Sequence, residues 1–474
     1  VNNFTSFLKS PIFEKLSEIG EQFQQPLYVV GGFVRDILLF RTVKKDIDIV
    51  VLGELQPVVK TFAEAFSHGE MVIYENFGTA MVRTEDYVVE FVSARKESYR
   101  GESRKPVVAQ ATLEEDQLRR DFTINALLLS LNRDDFGQLY DPFNGVEDLN
   151  ARVLRTPTDP NITFSEDPLR MLRAIRFAAQ LNFSIANEAL ESIKSNAERL
   201  KIVSQERITD EVNKIIQTPV PSKGFKLLFD TRLLHQFFPE LVRMQGVEIV
   251  NGIGHKDNFY HTLKVLDNVA KASDNLWLRW SAILHDIAKP LTKKFDAENG
   301  WSFHGHEDKG ARMTPGIFKR LKLPLNEKMK YVQKMVQLHL RPIALVDAEV
   351  TDSAIRRLIV DAGEDLEDLL TLCRADITTR DPQKLQQYLE NFEKVERRVQ
   401  EVEERDRLRN WQPPITGEMI MQYFSIRPSP LVGIIKNAVR EAILDGEIPN
   451  EPESAYVYMI EKGKALLAQH DCPS

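Results

Sequence analysis

The chain has 474 residues, 43% of them apolar and 28% charged. That composition excludes a collagen-like, disulfide-framework or wholly disordered protein, and the length predicts about three domains. With 62 Lys and Arg against 70 Asp and Glu, the formal charge is −8, so any surface for nucleic acid must be local.

Two cysteines, Cys373 and Cys472, lie far apart in the sequence. They predict neither a disulfide scaffold nor a thiolate zinc site and fit a reducing compartment. No apolar run approaches the roughly 18 residues that cross a bilayer. The opening VNNFTSFLKS has no basic segment followed by an apolar one, so no secretory leader is expected, and Val1 in place of Met points to trimming. The expectation is a cytoplasmic protein without membrane contact.

Residues 1–150 read as an α+β segment. PLYVV, DIDIVVL, TAMVRT and YVVEFV are β-branched runs bounded by Gly, Asn or Asp. FVRDILLF reads as a helix opened by Gly31 and Gly32, and a second helix runs from about Gln56 to Ser67. A Gly pair at a strand-to-helix turn lets backbone N–H groups approach a phosphate, although such pairs also serve conformation alone. Asp46 and Asp48 are two apart on a strand, so their side chains share one face. Two carboxylates there repel each other, and a divalent cation such as Mg²⁺ relieves the repulsion. Glu90, amid the apolar residues of YVVEFV, is a candidate third carboxylate or a residue of the solvated face. Arg95 to Asp116, basic at first and without periodicity, reads as a mobile loop that either touches an RNA end or is surface alone.

RRDFTINAL follows, and its arginines suit phosphate recognition. DPFNGVEDL, from Asp141, is turn-rich. Ser165 reads as the N-cap of a helix with Pro168 in its first turn. Asp167 and Arg170 then lie three apart on one face. Arg170, Arg173 and Arg176 continue that spacing and repel one another unless an anion sits nearby; a nucleoside triphosphate is such an anion.

From about Ser165 onward the strand signal gives way to helical periodicity. Breaks fall at Pro219–Pro221, Gly252–Gly254 and Trp411–Pro414. Leu389 to Arg409 reads as a solvated, charge-laced helix. His261, His285, His306 and His339 lie in the helical part with Asp286 and Asp376. Imidazole and carboxylate ligands suit Zn²⁺, Mn²⁺, Fe²⁺, Co²⁺ or Ni²⁺, and an adjacent His285–Asp286 pair inside an apolar helix is unusual for a residue type that is rarely buried unpaired.

GGFVRD, DIDIV, RRDFTINAL, DPFNGVEDL and EDPLRMLRAIRF, in this order, resemble the class II CCA-adding enzymes and bacterial poly(A) polymerases. VSQERITDEVNKII is similar to that family's next helix motif. The tight resemblance covers roughly the first 220 residues. It implies a polymerase β-like nucleotidyltransferase head with a small mixed sheet, then an all-α neck, body and tail. It implies transfer of C, C and A from CTP and ATP to a tRNA 3′ end, without a nucleic-acid template. Asp46 and Asp48 would hold Mg²⁺, with Glu90 beside them as a catalytic carboxylate. Asp167 and Arg170 would select the base. Gly31, Gly32, Arg35, Arg120, Asp121 and Asn125 would hold sugar and triphosphate, with Arg173 and Arg176 beside them.

H…HD…D, here His261, His285, Asp286 and Asp376, resembles the HD phosphohydrolase domain over about Asn251 to Asp381. His306 and His339 match the extra histidines of two-metal members, with Mn, Ni, Co, Fe, Zn or Mg as the ion. The divisions expected are head 1–150, neck 151–220, HD-containing body 221–385 and tail 386–474, the tail contacting tRNA. The alternatives are an A-adding or poly(A) polymerase, and an HD phosphohydrolase with a regulatory nucleotide-binding head.

Overall fold

The computed structural model describes residues 4–41, 45–66, 71–74, 78–100, 103–345, 351–379, 381–406 and 413–470. It divides into two compact units, Val1–Val242 and Arg243–Ser474. The chain is α+β, with its one large sheet near the N-terminus.

The first unit opens with α1 (Pro11–Phe23), β1 (Leu27–Val30), α2 (Gly32–Leu38), β2 (Asp46–Val51) and α3 (Leu55–Phe66). Strands β3 (Met71–Tyr74), β4 (Thr79–Arg83) and β5 (Val88–Ser93) follow, then β6 (Arg95–Arg100), β7 (Ser103–Gln110) and α4 (Leu113–Leu118). β8 (Leu128–Ser130) and β9 (Leu139–Tyr140) complete a seven-stranded sheet of order β3-β4-β5-β2-β1-β8-β9. Its pairs are antiparallel except β2 with β5, which is parallel.

Alternation decides the two faces. Ile47, Ile49, Val89 and Phe91 are fully buried, while Asp46 and Glu90 between them are exposed. The apolar face is covered by α3, whose Phe62 meets the Phe91 ring at 5.3 Å. α1 buries Ile12, Phe13, Leu16 and Ile19, a helical stripe.

The segment Arg95–Asp116 is not a loop. β6 and β7 pair antiparallel with a register shift at Ser98/Arg100, and α4 begins at once behind them. Thr112 and Glu115 form a reciprocal capping box that fixes the start of α4. A two-stranded ribbon needs no buried face, so hydrophobic periodicity gave no sign of it.

The helical part of this unit holds α5 (Gly145–Ala151), β10 (Val153–Leu154), α6 (Pro160–Glu166), α7 (Leu169–Leu181), β11 (Ser184–Ile185), α8 (Asn187–Asn196), α9 (Gln205–Ile216) and α10 (Pro221–Asp230). Short α11 (Leu234–Phe237) and α12 (Pro239–Val242) end it. Ser165 is not an N-cap; it lies inside α6, and its hydroxyl donates to the Ile162 carbonyl at 3.0 Å. The break comes two residues later, where Asp167 is extended ahead of Pro168.

The second unit is helical apart from two hairpins, β12 (Ile249–Val250) with β13 (Ile253–Gly254) and β14 (Lys294–Asp296) with β15 (Gly300–Ser302). With β11, these correct the expectation that strands end near Ser165. Its helices are α13 (Asn258–Ala272), α14 (Leu276–Leu284), α15 (Lys289–Thr292), α16 (His306–Arg320), α17 (Glu327–Leu338), α18 (Arg341–Ala344), α19 (Asp352–Ala362), α20 (Leu366–Asp376), α21 (Pro382–Asp406), α22 (Gly417–Phe424), α23 (Pro430–Asp445) and α24 (Pro452–His470).

The charged helix α21 is less solvated than its composition implies, because Phe392, Val395, Val399 and Val402 form a buried stripe. α22 to α24 close on their own core of Ile420, Ile435, Val439, Ile443 and Met459. Gly433 lies inside α23, and Gly446 is its C-cap. No helix among the described residues is long and apolar enough to cross a membrane.

Candidate active site and candidate metal centre

Strand register brings the head carboxylates together. Asp48 pairs with Val30 on one side and with Glu90 on the other. Asp46, Asp48 and Glu90 therefore stand on one face, across strands that run about 4.8 Å apart. Gly31 opens α2 with φ 76°, and a Cβ there would lie 3.3 Å from Asp48 Oδ2. The glycine turn thus closes against the carboxylate. Burial raises the pKa of Asp48, Arg120 and Arg173 pull it down, and Asp46 pushes it up; the net direction is upward.

Behind this face runs a chain of charge-assisted hydrogen bonds. Arg35 pairs with Asp36 at 2.8 Å and donates to Asn125 Oδ1 at 2.9 Å. Asn125 Nδ2 donates to Asp121 Oδ1 at 3.0 Å, and Arg173 Nε donates to Asp121 Oδ2 at 2.7 Å. Burial opposes ionisation of Asp121, but Arg173 and Asn125 outweigh it and hold the carboxyl below its usual range. Arg35, Arg173 and Arg176 stack over the Phe177 ring at 5.1, 5.5 and 4.2 Å.

The arginines of α7 do not wait for an external anion. Arg173 has Asp121, and Arg176 has the buried Glu211 of α9 at 2.8 Å. Arg170 turns its guanidinium to the carbonyls of Arg119 and Thr163, at 2.6 and 3.4 Å. Asp167 is extended rather than helical and stands just ahead of α7: its carboxylate accepts the Leu169 N–H at 3.1 Å and its carbonyl the Arg170 N–H at 3.0 Å. Sequence reasoning missed Asp36, Asp116, Phe177 and Glu211. Each stands within or next to a quoted motif; burial alone separates the three carboxylates from ordinary surface charges, and only its stacked arginines separate Phe177 from any core aromatic.

In the second unit the histidines meet around one carboxylate. Helix ends present most of them: His285 follows α14, His306 opens α16, His339 follows α17 and Asp376 ends α20. His261 comes from within α13. His285, His306 and His261 place Nε2 at 3.2, 3.1 and 3.4 Å from Asp286, and His339 at 3.8 Å. His261 Nε2 is also 2.9 Å from Asp376. Two trios emerge, His261–His285–Asp286 and Asp286–His306–His339, sharing Asp286. His255 and His304 stay outside both trios.

The tautomers are set from behind. Nδ1 of His285, His306 and His339 faces the carbonyls of Ala282, Phe303 and Val336 at 2.8, 2.8 and 2.6 Å, and that of His261 faces the Thr378 hydroxyl at 2.9 Å. Each carbonyl-bound ring commits its proton at Nδ1 and leaves the Nε2 lone pair pointing inward. Nε2 of His285, His306 and His339, and Oδ1 of Asp286, are buried without a hydrogen bond. Acceptors facing acceptors in a buried site fit a cation. With no cation beside it, burial would lower the pKa of His285 but Asp286 and Asp376 hold it up at about 10, so a cation at Nε2 competes with a proton there. His339, buried beside His285, is pushed down to about 4. Lys289 closes one flank, 2.6 Å from Asp286 Oδ2. Cys373 donates its thiol to the His339 carbonyl at 2.9 Å.

Residues 27–155 match the family described as "Poly A polymerase head domain", residues 182–244 "Probable RNA and SrmB- binding site of polymerase A" and residues 258–381 "HD domain". An A-adding tRNA nucleotidyltransferase of Deinococcus radiodurans is 33% identical over 355 residues, 72% of this chain and 78% of that protein. The chain belongs to the tRNA nucleotidyltransferase family. A multifunctional CCA protein of Shewanella frigidimarina is 36% identical over 317 residues, 63% of this chain and 70% of that one. The crystal structure of the Bacillus stearothermophilus CCA-adding enzyme in complex with CTP shares the fold, with TM-score 0.64 at 24% identity over 98% of this chain and all of that one. Nucleotidyltransferase heads and HD domains of this kind are metal-dependent in general.

Proposed function

We propose that this nucleotidyltransferase adds C, C and A to tRNA 3′ ends from CTP and ATP, with no nucleic-acid template. The observation that carries the reading is the shared face of Asp46, Asp48 and Glu90 beside a glycine turn and a set of buried arginines. Mg²⁺ held by Asp46 and Asp48 would acidify the attacking 3′-hydroxyl and neutralise the pyrophosphate that leaves. The bond formed joins the 3′ oxygen to the α-phosphorus, and the α–β phosphoanhydride bond breaks. Gly31 and Gly32 cradle phosphate. Arg35, Arg120, Asp121 and Asn125 hold sugar and triphosphate, Arg173 and Arg176 stand beside them, and Asp167 and Arg170 read the base edge. In this reading residues 1–150 are the catalytic head, 151–220 the base-selecting neck, 221–385 the HD body and 386–474 a tail that grips tRNA in the cytoplasm.

The HD centre is a second active site, a metal-dependent phosphohydrolase for RNA ends or nucleotides. His261, His285, Asp286, His306, His339 and Asp376 would hold two divalent ions, drawn from Mn, Ni, Co, Fe, Zn or Mg, with Asp286 common to both trios. The ions would supply a hydroxide nucleophile at neutral pH.

A second reading of the head has its own support: the Deinococcus relative is named for A addition alone. The test gives purified protein a tRNA lacking its last three nucleotides and, separately, one already ending in CC, with CTP and ATP singly and together. C, C and A added in order, only on tRNA, is the expected result. A alone, on tRNA already ending in CC, moves the assignment to A addition.

A further inference from the structure

We propose that Asp116 is a positioning residue for nucleotide recognition, one carboxylate that aims Arg120 and, through the Arg119 backbone, Arg170. The inference rests on the nucleotidyl-transfer reading above. Asp116 lies in α4, fully buried, at 0% exposure. Its Oδ1 takes Arg119 Nε and Nη2 at 3.0 and 2.5 Å, and its Oδ2 takes Arg120 Nη2 at 2.8 Å. Two consecutive arginines, which repel each other, are thereby held by one carboxylate.

What each arginine then faces gives the arrangement its purpose. Arg120 is close enough to Asp48 to draw its proton affinity down. The buried Nε of Arg120 has no hydrogen-bond partner among the described residues, so one donor is left for a ligand. The Arg119 carbonyl accepts Arg170 Nη2 at 2.6 Å. The same short turn therefore fixes a triphosphate-side cation and a base-side cation. α4 itself is anchored by its capping box and by the Ala111 N–H on the Ala94 carbonyl at 3.2 Å. Burying a charge among partly buried arginines is costly in stability terms, and a site that must aim guanidinium groups gains most from that cost.

The test compares D116N, D116E and D148N in the full chain. Asp148 is also buried and takes the Thr123 hydroxyl at 2.7 Å and Arg155 at 3.3 Å, away from Arg119 and Arg120. CTP affinity is measured by equilibrium binding with Mg²⁺, and KM, kcat and UTP misincorporation on tRNA lacking CCA. D116N should raise KM for CTP and ATP about tenfold or more, with kcat at saturation within about threefold. UTP misincorporation should rise with it. D116E keeps the charge and moves it by one methylene; it should melt near wild type while KM stays raised by about threefold or more. D148N should lower the melting temperature without moving KM or selectivity. Wild-type KM and UTP rejection in whichever Asp116 variant melts like wild type overturns the proposal. So does an equal KM rise in D148N. A wild-type chain that neither binds CTP nor adds it overturns the underlying reading instead.

Discussion

The head site and the HD centre handle buried charge in opposite ways. In the head, cations and anions already cancel: Arg173 has Asp121, Arg176 has Glu211 and Arg120 has Asp116. The carboxylates proposed to do the chemistry share one face of a sheet. In the HD centre the inward atoms are acceptors without hydrogen bonds, crowded around Asp286. The first site is balanced before its substrate arrives, and its variants should lose aim. The second keeps buried acceptors that, in the reading proposed above, a cation would satisfy, and its variants should lose occupancy.

The largest effect that tests this contrast comes from Asp46→Ala with Asp48→Ala. Nucleotide addition should fall by about 10³-fold or more, by analogy with removal of a reacting centre. Hydrolysis of a 2′,3′-cyclic nucleotide by the HD centre should stay unchanged in the same preparation. Parallel loss of both activities would break the separation.

Next is Asp286→Ala. Elemental analysis should show both ions lost, and hydrolysis should drop about 100-fold or more. CCA addition should stay within about twofold, since the head variants alone alter aim. One ion retained at full occupancy would refute the bridging role.

The Asp121–Arg173 pair gives a smaller, pH-dependent effect. The folded pKa of Asp121 is depressed, so its stabilisation is complete above the ordinary carboxyl value of about 3.9 and is lost as pH falls below it. Melting temperature followed from pH 6 to pH 3 should fall steeply in wild type. Arg173→Met should melt lower at pH 6 and show a shallower acid slope. An unchanged slope would mean that other carboxylates carry the acid response.

The smallest effect lies outside both sites. Gly446 caps α23 at φ 76°, and a Cβ there would lie 3.1 Å from Arg356 Nη1. Gly446→Ala should cost about 1 kcal/mol by denaturant titration and leave both activities intact.

The sequence was most legible where chemistry and periodicity coincide. Alternation in DIDIVV and YVVEFV placed both strands, and their register then placed Glu90 beside Asp48. The five residues of the two trios, His261, His285, Asp286, His306 and His339, could be named in advance because histidine is scarce and a buried His–Asp pair is unusual. Less was legible where partners are distant. Three arginines at helical spacing looked like a demand for an outside anion. Asp121 lies 52 residues before Arg173 and Glu211 lies 35 after Arg176, and no local pattern reports such pairings. The ribbon of β6 and β7 escaped because RKESYR and SRKPVVAQ carry no apolar alternation that would mark a strand. Ser165 misled because a helix ends just where the next was expected to begin.

The backbone carbonyls behind His285, His306 and His339 carry one further consequence, which concerns time. The rings take their tautomer and direction from helix ends, not from an ion. The mould therefore outlasts its contents. A centre stripped by a chelator should refill in the folded state, at a pace set by ion delivery and dehydration. On that proposal, a cell that runs short of one metal would lose the HD activity and regain it without making the protein again.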